Sequence, residues 1–539
     1  MKKQTYAKGH RGKARLQDTS QELEKYFKKL YGPRWPALQT ALLKPTLHAA
    51  VANSFVGTPA DSGDAATAAA SSSASSISSA AEAASLVPLL RLGGALRTLR
   101  RGPGTKPSSP YPPPPLDPGS ALRCWYWMDL ASVLPVLLMA PRRGHVTLDM
   151  CAAPGGKSCL LAQRLFGPGA MLPPTTAPAA AAGPAAAAAA AEAPAVSVPV
   201  ADPSAPTGNG SGREAGAEAS ASGSAAPVLP APPLPRLPLG PGKLVCNEPD
   251  RQRLGRLQRV IEEYVPPTAR AHIETLNYAG HTYWGRNQGA SYDRVLVDAP
   301  CSSDRHVMQQ AATTARGVIS ASEWSLDGCK RIADEQLQLC LAAMRALRVG
   351  GRLVYSTCSI AALQNDEVVE RLLRRCNAGG AVGAAGSAAL AGAAAGGGGA
   401  ARVLPALEVL RSELAVVTAG GRAAAGGAAE GVESGCGAGQ GAPDLEAVFA
   451  ECVKVMGVEV TRHGAICLPD RGGWGPIYVA VIEKTGELVA AGGTGGGGLV
   501  AGMEALLRPR PESEEESNED EEEEAEGEGD AAEATGEVA

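Results

Sequence analysis

From residue 145 onward the apolar residues switch repeatedly between two spacings, and this alternation leaves few folds open. Short strand-like runs at 145–150, 243–246, 272–276, 294–297 and 352–355 are interleaved with segments of helical period at 157–166, 250–264, 327–347 and 365–375. Two further strand-like runs, 465–468 and 477–482, close the series. Strands joined by crossovers of this length run parallel, and a parallel sheet needs helices over both faces. The pattern predicts a mostly parallel α/β sheet covered on both sides, in which ligands sit beyond the carboxyl ends of the strands.

Much of the chain cannot belong to such a core. It has 65 Gly, 42 Pro and only four Phe, and five low-complexity stretches (57–118, 168–242, 377–402, 419–443 and 488–539) hold 240 of its 539 residues. The predicted organisation is a basic segment (1–20), a small helical N-terminal region (21–56), a linker (57–118) and the start of the main α/β domain (119–167). An Ala/Pro insert (168–242) follows, then the rest of the domain (243–376) and low-complexity inserts around a short ordered stretch (377–443). Closing strands (444–487) and a Gly-rich, acidic tail (488–539) complete it. The Ala/Pro insert and the tail bury too little apolar surface to offset their ordering entropy and are expected to be disordered.

The formal charge of −5 conceals two regions, because 511–539 carries fifteen acids and no base, leaving +10 on the remainder. A basic body suits a phosphate backbone, although so modest a surplus is also common elsewhere. Residues 1–16 hold six Lys/Arg and no acid, the pattern of an organellar targeting segment, of an RNA-contacting arm or of a solvated terminus. No run of roughly 20 apolar residues exists, so no membrane span is expected. The twelve Cys include no Cys-x-x-Cys pair, so neither a disulfide framework nor a closed metal site is signalled.

Four motifs fall at predicted strand ends. Cys151-Ala152-Ala153-Pro154-Gly155-Gly156-Lys157 follows the first strand; its small residues admit a ligand to the backbone, and the next helix begins there. Glu248 ends the second strand, where nucleoside-binding sheets accept hydrogen bonds from ribose hydroxyls, although an acid also suits a helix N-terminus there. Asp298-Ala299-Pro300-Cys301 and Ser356-Thr357-Cys358-Ser359 each place a Cys just past a strand. A lone Cys is usually a small buried apolar residue. Two, with an Asp, on strands expected to be neighbours point to one crevice.

Together these motifs resemble the NSUN (Nol/Sun) family of S-adenosylmethionine-dependent RNA cytosine-5 methyltransferases, over roughly residues 21–484. Within it, Met128-Asp129-Leu130-Ala131-Ser132, Asp304-Arg305-His306 and Trp474-Gly475-Pro476-Ile477-Tyr478 look like the mitochondrial branch. Asp304-Arg305-His306 is nearer its rRNA member, while Cys246-Asn247-Glu248 and the ending are nearer its tRNA member. The resemblance implies a Rossmann-like class I methyltransferase sheet, a mitochondrial location, S-adenosylmethionine as cofactor and RNA as partner, with rRNA ahead of tRNA. A protein partner for ribosome targeting stays open, and no metal is implied.

By the same resemblance Cys151, Ala152, Ala153, Pro154, Gly155, Gly156 and Lys157 would cradle the cofactor. Glu248 would bind its ribose, Arg253 would lie nearby, and Asp298 would close the group. The family's acid at the third strand end is missing; Leu276-Asn277-Tyr278 stands there, and Asn277 would substitute through its amide. Cys358 would be the nucleophile, Cys301 would assist release, and Asp298 would hold the cytosine edge. Two rivals are a non-catalytic RNA-binding ribosome assembly factor and a small-molecule methyltransferase of the same sheet architecture; the second has no need of paired strand-end cysteines.

Overall fold

The chain folds first into two helices, α1 (Ser20–Tyr31) and α2 (Trp35–Leu43), in a computed structural model that describes residues 18–56, 77–91, 96–106, 109–168, 240–286, 290–314, 317–378, 399–426 and 444–488. Leu23 and Phe27, four apart, form the buried face of α1, and Gly32 at φ 54° turns the chain into α2. These helices do not stand apart as a small domain. Phe27 stacks on Trp35 (ring centroids 5.3 Å) and meets Trp324 (5.8 Å), the Thr19 hydroxyl donates to the Trp324 carbonyl (2.5 Å), and the Tyr31 hydroxyl donates to the Ile360 carbonyl (2.8 Å). The apolar stripe of α1 thus finds its partner, Trp324, on the main domain, and Tyr31 is tied to it two residues beyond Cys358.

Strands β1 (Ala49–Ala52), β2 (Leu86–Arg91), β3 (Arg97–Arg101) and β4 (Trp125–Met128) form an antiparallel sheet in the order β2-β3-β1-β4. This corrects two expectations: 21–56 is not helical throughout, and 57–118 is not simply a linker. Leu86, Leu90, Leu96 and Leu99 are all buried, so a hairpin with its own apolar face lies inside the Ser/Ala- and Pro-rich composition. Averaging over the stretch hides it.

The second sheet carries the predicted alternation. After α3 (Leu134–Met139) come β5 (Val146–Asp149), α4 (Gly156–Phe166), β6 (Lys243–Asn247), α5 (Arg251–Tyr264), β7 (Ile273–Leu276), β8 (Tyr292–Asp298) and α6 (Asp304–Thr313). Then follow α7 (Leu326–Ala346), β9 (Leu347–Thr357), α8 (Asp366–Asn377), β10 (Ala401–Leu404), α9 (Ala406–Gly426) and α10 (Leu445–Met456). Strands β11 (Val458–Val460), β12 (Ala465–Cys467) and β13 (Ile477–Lys484) end the series. The order is β7-β6-β5-β8-β9-β13-β12-β11, with β10 also on β13; β5 to β9 pair in parallel and β13 joins β9 antiparallel.

The two-residue period of each strand feeds two cores. Val295, Val297, Leu353 and Tyr355 pack with α1, α2 and α7, while Leu296 and Val354 pack with α3, α4 and α5. In the 377–443 region β10 pairs with β13, and Glu413 on α9 is buried between Arg142 and Arg164. The described residues all belong to one compact unit, Met1–Val489. The basic residues 1–16, most of the Ala/Pro insert and the acidic tail lie outside the described residues. Among the described residues no helix is long and apolar enough to cross a membrane.

Candidate active site

Strand order reverses at β5, which has β6 on one side and β8 on the other, so the connections leave in opposite directions and open a crevice at its carboxyl end. Residues 151–157 fill the rim of that crevice. Gly155 takes φ 114°, a conformation that favours glycine, and a Cβ on Gly156 would stand 2.7 Å from Cε1 of Tyr126. The backbone can therefore pass close beneath Tyr126 and start α4 at Gly156.

A cavity of about 210 Å³ lies over this loop, lined by Cys151, Ala152, Ala153, Pro154, Gly156 and Lys157 together with Asp149, Asp298, Asp129, Tyr126, Trp127 and His48. The Ser158 hydroxyl donates to Asp149 Oδ2 (2.7 Å), whereas Asp149 Oδ1 is buried with no hydrogen-bond partner among the described residues. Burial pushes the Asp149 carboxyl up to about 7, with the nearby Asp298 charge adding to the effect. Burial and the Asp149, Asp298 and Glu248 carboxylates push the Cys151 thiol up, so Cys151 is no thiolate.

The two remaining strand ends meet. Strands β8 and β9 pair so that Asp298 lies opposite Ser356, and the loops beyond them bring Cys301 Sγ within 2.8 Å of Cys358 Sγ. The Cys301 hydrogen bond holds the Cys358 thiol below its ordinary value in spite of burial, with Ser303 adding to the effect. The same contact with Cys358, reinforced by burial, raises Cys301. The pair is therefore asymmetric, with Cys358 the more acidic thiol and Cys301 the less acidic one.

Asp298 is fixed from two sides: Lys157 Nζ lies 2.7 Å from Oδ2, and the Ser356 hydroxyl donates to Oδ1 at 2.7 Å. Burial alone would lower Lys157, but Asp298 and Asp149 outweigh it and keep the ammonium above its ordinary value. A cation thus stands between the cradle loop and the thiol loops.

Glu248, Arg253 and Asn277 gather beside the loop and do not line the 210 Å³ cavity. Glu248 is buried; its Oε1 accepts the Asp250 N–H (3.0 Å) and its Oε2 lies 3.2 Å from Arg253, which also donates to the Ala153 carbonyl (3.2 Å). The Asn277 amide donates to the Glu248 and Pro249 carbonyls (2.7 and 2.8 Å), so only its oxygen is left for a ligand.

One group that the sequence reading left without a role is Asp304. Fully buried, it accepts from the Ser302 hydroxyl (2.6 Å), the Ser359 hydroxyl (2.7 Å), the Ile360 N–H (2.8 Å) and Trp324 Nε1 (2.8 Å). One carboxylate thereby ties the Cys301 loop to the Cys358 loop. Its sequence signal was an acid three residues after a strand-end Cys; nothing in the sequence says that Ser359 and Trp324 converge on it. Asp149, Trp127 and His48 likewise join the cavity without a distance signal in the sequence. Among the described residues no cluster of His, Cys, Asp or Glu is arranged to hold a metal ion.

A family model described as 16S rRNA methyltransferase RsmB/F matches residues 236–408. The chain is 27 % identical over 350 residues to mouse 5-cytosine rRNA methyltransferase NSUN4, covering 63 % of this chain and 69 % of that one. It is also 27 % identical over 253 residues to mouse mitochondrial tRNA (cytosine(34)-C(5))-methyltransferase, where it spans about half of the relative's length, 49 %. A solved structure of NSun6 from Pyrococcus horikoshii with SFG aligns over 86 % of this chain and 98 % of that one, at 12 % identity and a TM-score of 0.44. The family model falls across β6 to β10, and over these residues the chain is similar to the RsmB/F and NSUN RNA cytosine-5 methyltransferases.

Proposed function

We propose that this protein methylates C5 of a cytosine in mitochondrial small-subunit rRNA, using S-adenosylmethionine. The observation that carries the reading is the pair of thiols 2.8 Å apart at the ends of adjacent parallel strands, beside the Lys157–Asp298 ion pair. Cytosine C5 is a weak nucleophile, and addition of a thiolate to C6 makes it carbanion-like. Cys358, the acidified member, adds Sγ to C6. Asp298, held by Lys157 and Ser356, faces the N3/amino edge and favours proton uptake there as charge builds in the ring. S-adenosylmethionine supplies the electrophilic methyl group. After transfer the C5 proton passes to water, the freed electron pair restores the C5–C6 double bond, and Cys358 leaves C6 as a thiolate, a departure that the adjacent Cys301 assists by hydrogen bonding to the leaving sulfur.

The residues present fit this cofactor. The unpartnered Asp149 Oδ1 suits the ammonium of its amino-acid end, residues 151–157 would give it a side-chain-poor floor, and Glu248 and Asn277, beside that loop, would take the ribose and the adenine. Base extraction from a duplex costs a few kcal/mol, so an unpaired loop or an assembly intermediate is the favoured substrate. A protein partner that brings the enzyme to the ribosome belongs to the same reading. The tRNA alternative draws on the 27 % identity to the tRNA enzyme, over 253 residues against 350 for the rRNA enzyme. The test is transfer of labelled methyl groups to purified mitochondrial rRNA and tRNA. Label in rRNA cytosine C5 is expected; label in tRNA alone would replace the substrate, bound cofactor with no labelled RNA would point to a missing partner or pre-assembled substrate, and no bound cofactor would favour the assembly factor.

A further inference from the structure

A second cavity, of about 490 Å³, adjoins the first, and His48 lines both. Its walls include Arg100 and Arg101 of β3, Tyr111, and, on the far side, Glu451 and Trp474. The connection is a continuous wall of rings. The Arg101 guanidinium lies 4.0 Å above the centre of the Tyr111 ring; that ring packs against His48 (4.8 Å) and Trp127 (4.9 Å), and Trp127 faces the cofactor cavity. Arg101 is further held by its Nη1 bond to the Ser109 carbonyl (2.7 Å), and the His48 N–H donates to the Tyr111 hydroxyl (2.9 Å). The arginine is therefore pre-positioned at the groove, with the exposed Arg100 next to it and Glu451 as the opposing acid among the residues named.

We propose that this groove holds the single-stranded RNA immediately flanking the target cytosine, with Arg100 and Arg101 on its phosphates. The inference rests on the methyltransferase reading and deepens it, giving the otherwise unexplained β2–β3 hairpin a task. Proteins that grip single strands combine a cationic track with aromatic surfaces, and this wall has both, continuous with the cavity where chemistry would occur. Backbone contacts of this kind confer salt dependence and position the strand without reading its sequence.

The experiment is equilibrium binding of a fluorescein-labelled 12-nucleotide single-stranded RNA with one central cytosine to the full chain, across a salt series. Methyl transfer to mitochondrial RNA and S-adenosylmethionine affinity are measured in parallel. The double variant Arg100→Glu/Arg101→Glu is expected to bind roughly tenfold or more weakly at low salt, and to lose about 1.4 from the log–log salt slope, two phosphates at about 0.7 each. Arg100→Gln, a substitution at an exposed position, is expected to lose about half of that slope change. Cofactor affinity should not move. Wild-type affinity and slope in both variants would overturn the groove; if the wild-type enzyme labels RNA in the same series, the methyltransferase reading survives. No bound cofactor and no labelling of any RNA by wild type would instead overturn that reading, and the inference with it.

Discussion

The loop after β5 and the loops after β8 and β9 border one crevice, yet they are built on opposite principles. Residues 151–157 work through what they lack: two glycines, two alanines and a proline keep side chains out of the way, and the half-buried Cys151 thiol is silenced by its surroundings. The 301–304 and 356–360 loops work through what they carry: two thiols in contact, a carboxylate clamped by a lysine and a hydroxyl, and the buried Asp304 knotting both loops together. Adding a Cβ should damage the first region, and removing a functional group should damage the second.

That contrast can be broken by substitution. Asp298→Asn keeps the shape and the Ser356 contact but loses the Lys157 ion pair; turnover on RNA should fall about 10²- to 10³-fold, as when a transition-state hydrogen-bond partner is lost. Gly156→Ala should act on the other side, because its new Cβ, 2.7 Å from Tyr126, drives that ring toward the cavity. A cost of about 1–3 kcal/mol, read as weaker cofactor binding by calorimetry, is expected for such overpacking. Unchanged affinity would show that Tyr126 has room to retreat.

Asp149 sharpens the comparison through pH. Its carboxyl is pushed up to about 7, so between roughly pH 4 and 7 the folded chain binds more protons than the unfolded chain, whose aspartates titrate near 3.9. Ligand-free stability should therefore fall as pH rises through that window, and Asp149→Asn should flatten the fall; parallel melting-temperature profiles would remove Asp149 from this role. The smallest effect belongs to Cys151→Ala. A thiol that is not ionised and makes no hydrogen bond in the cavity should change turnover by less than about twofold, within the usual range of neutral substitutions.

The parallel strands were legible because their side chains serve two cores at once: Val295 and Val297 face one layer and Leu296 the other, which writes an apolar run into the sequence. The strand-end motifs were legible for a related reason, since a Cys just past an apolar run can only sit at the sheet's edge. The β2–β3 hairpin was not, because its four buried leucines are scattered among Ser, Ala, Gly and Arg, and β2 pairs with a strand whose other neighbour, β1, lies about 50 residues upstream. The function of Asp304 was hidden for the same physical cause. Its partners Trp324 and Ser359 are set by tertiary packing and not by any local period.

The central claim is that Cys358 attacks and Cys301 releases, and one trapping experiment addresses it directly. Wild type, Cys358→Ala and Cys301→Ala are incubated with S-adenosylmethionine and mitochondrial RNA, and protein–RNA adducts are resolved under denaturing conditions. The account predicts methylated RNA without lasting adduct for wild type, neither product nor adduct for Cys358→Ala, and an accumulating adduct at Cys358 for Cys301→Ala. An adduct that forms in Cys358→Ala and maps to Cys301 would reverse the two roles and contradict the account.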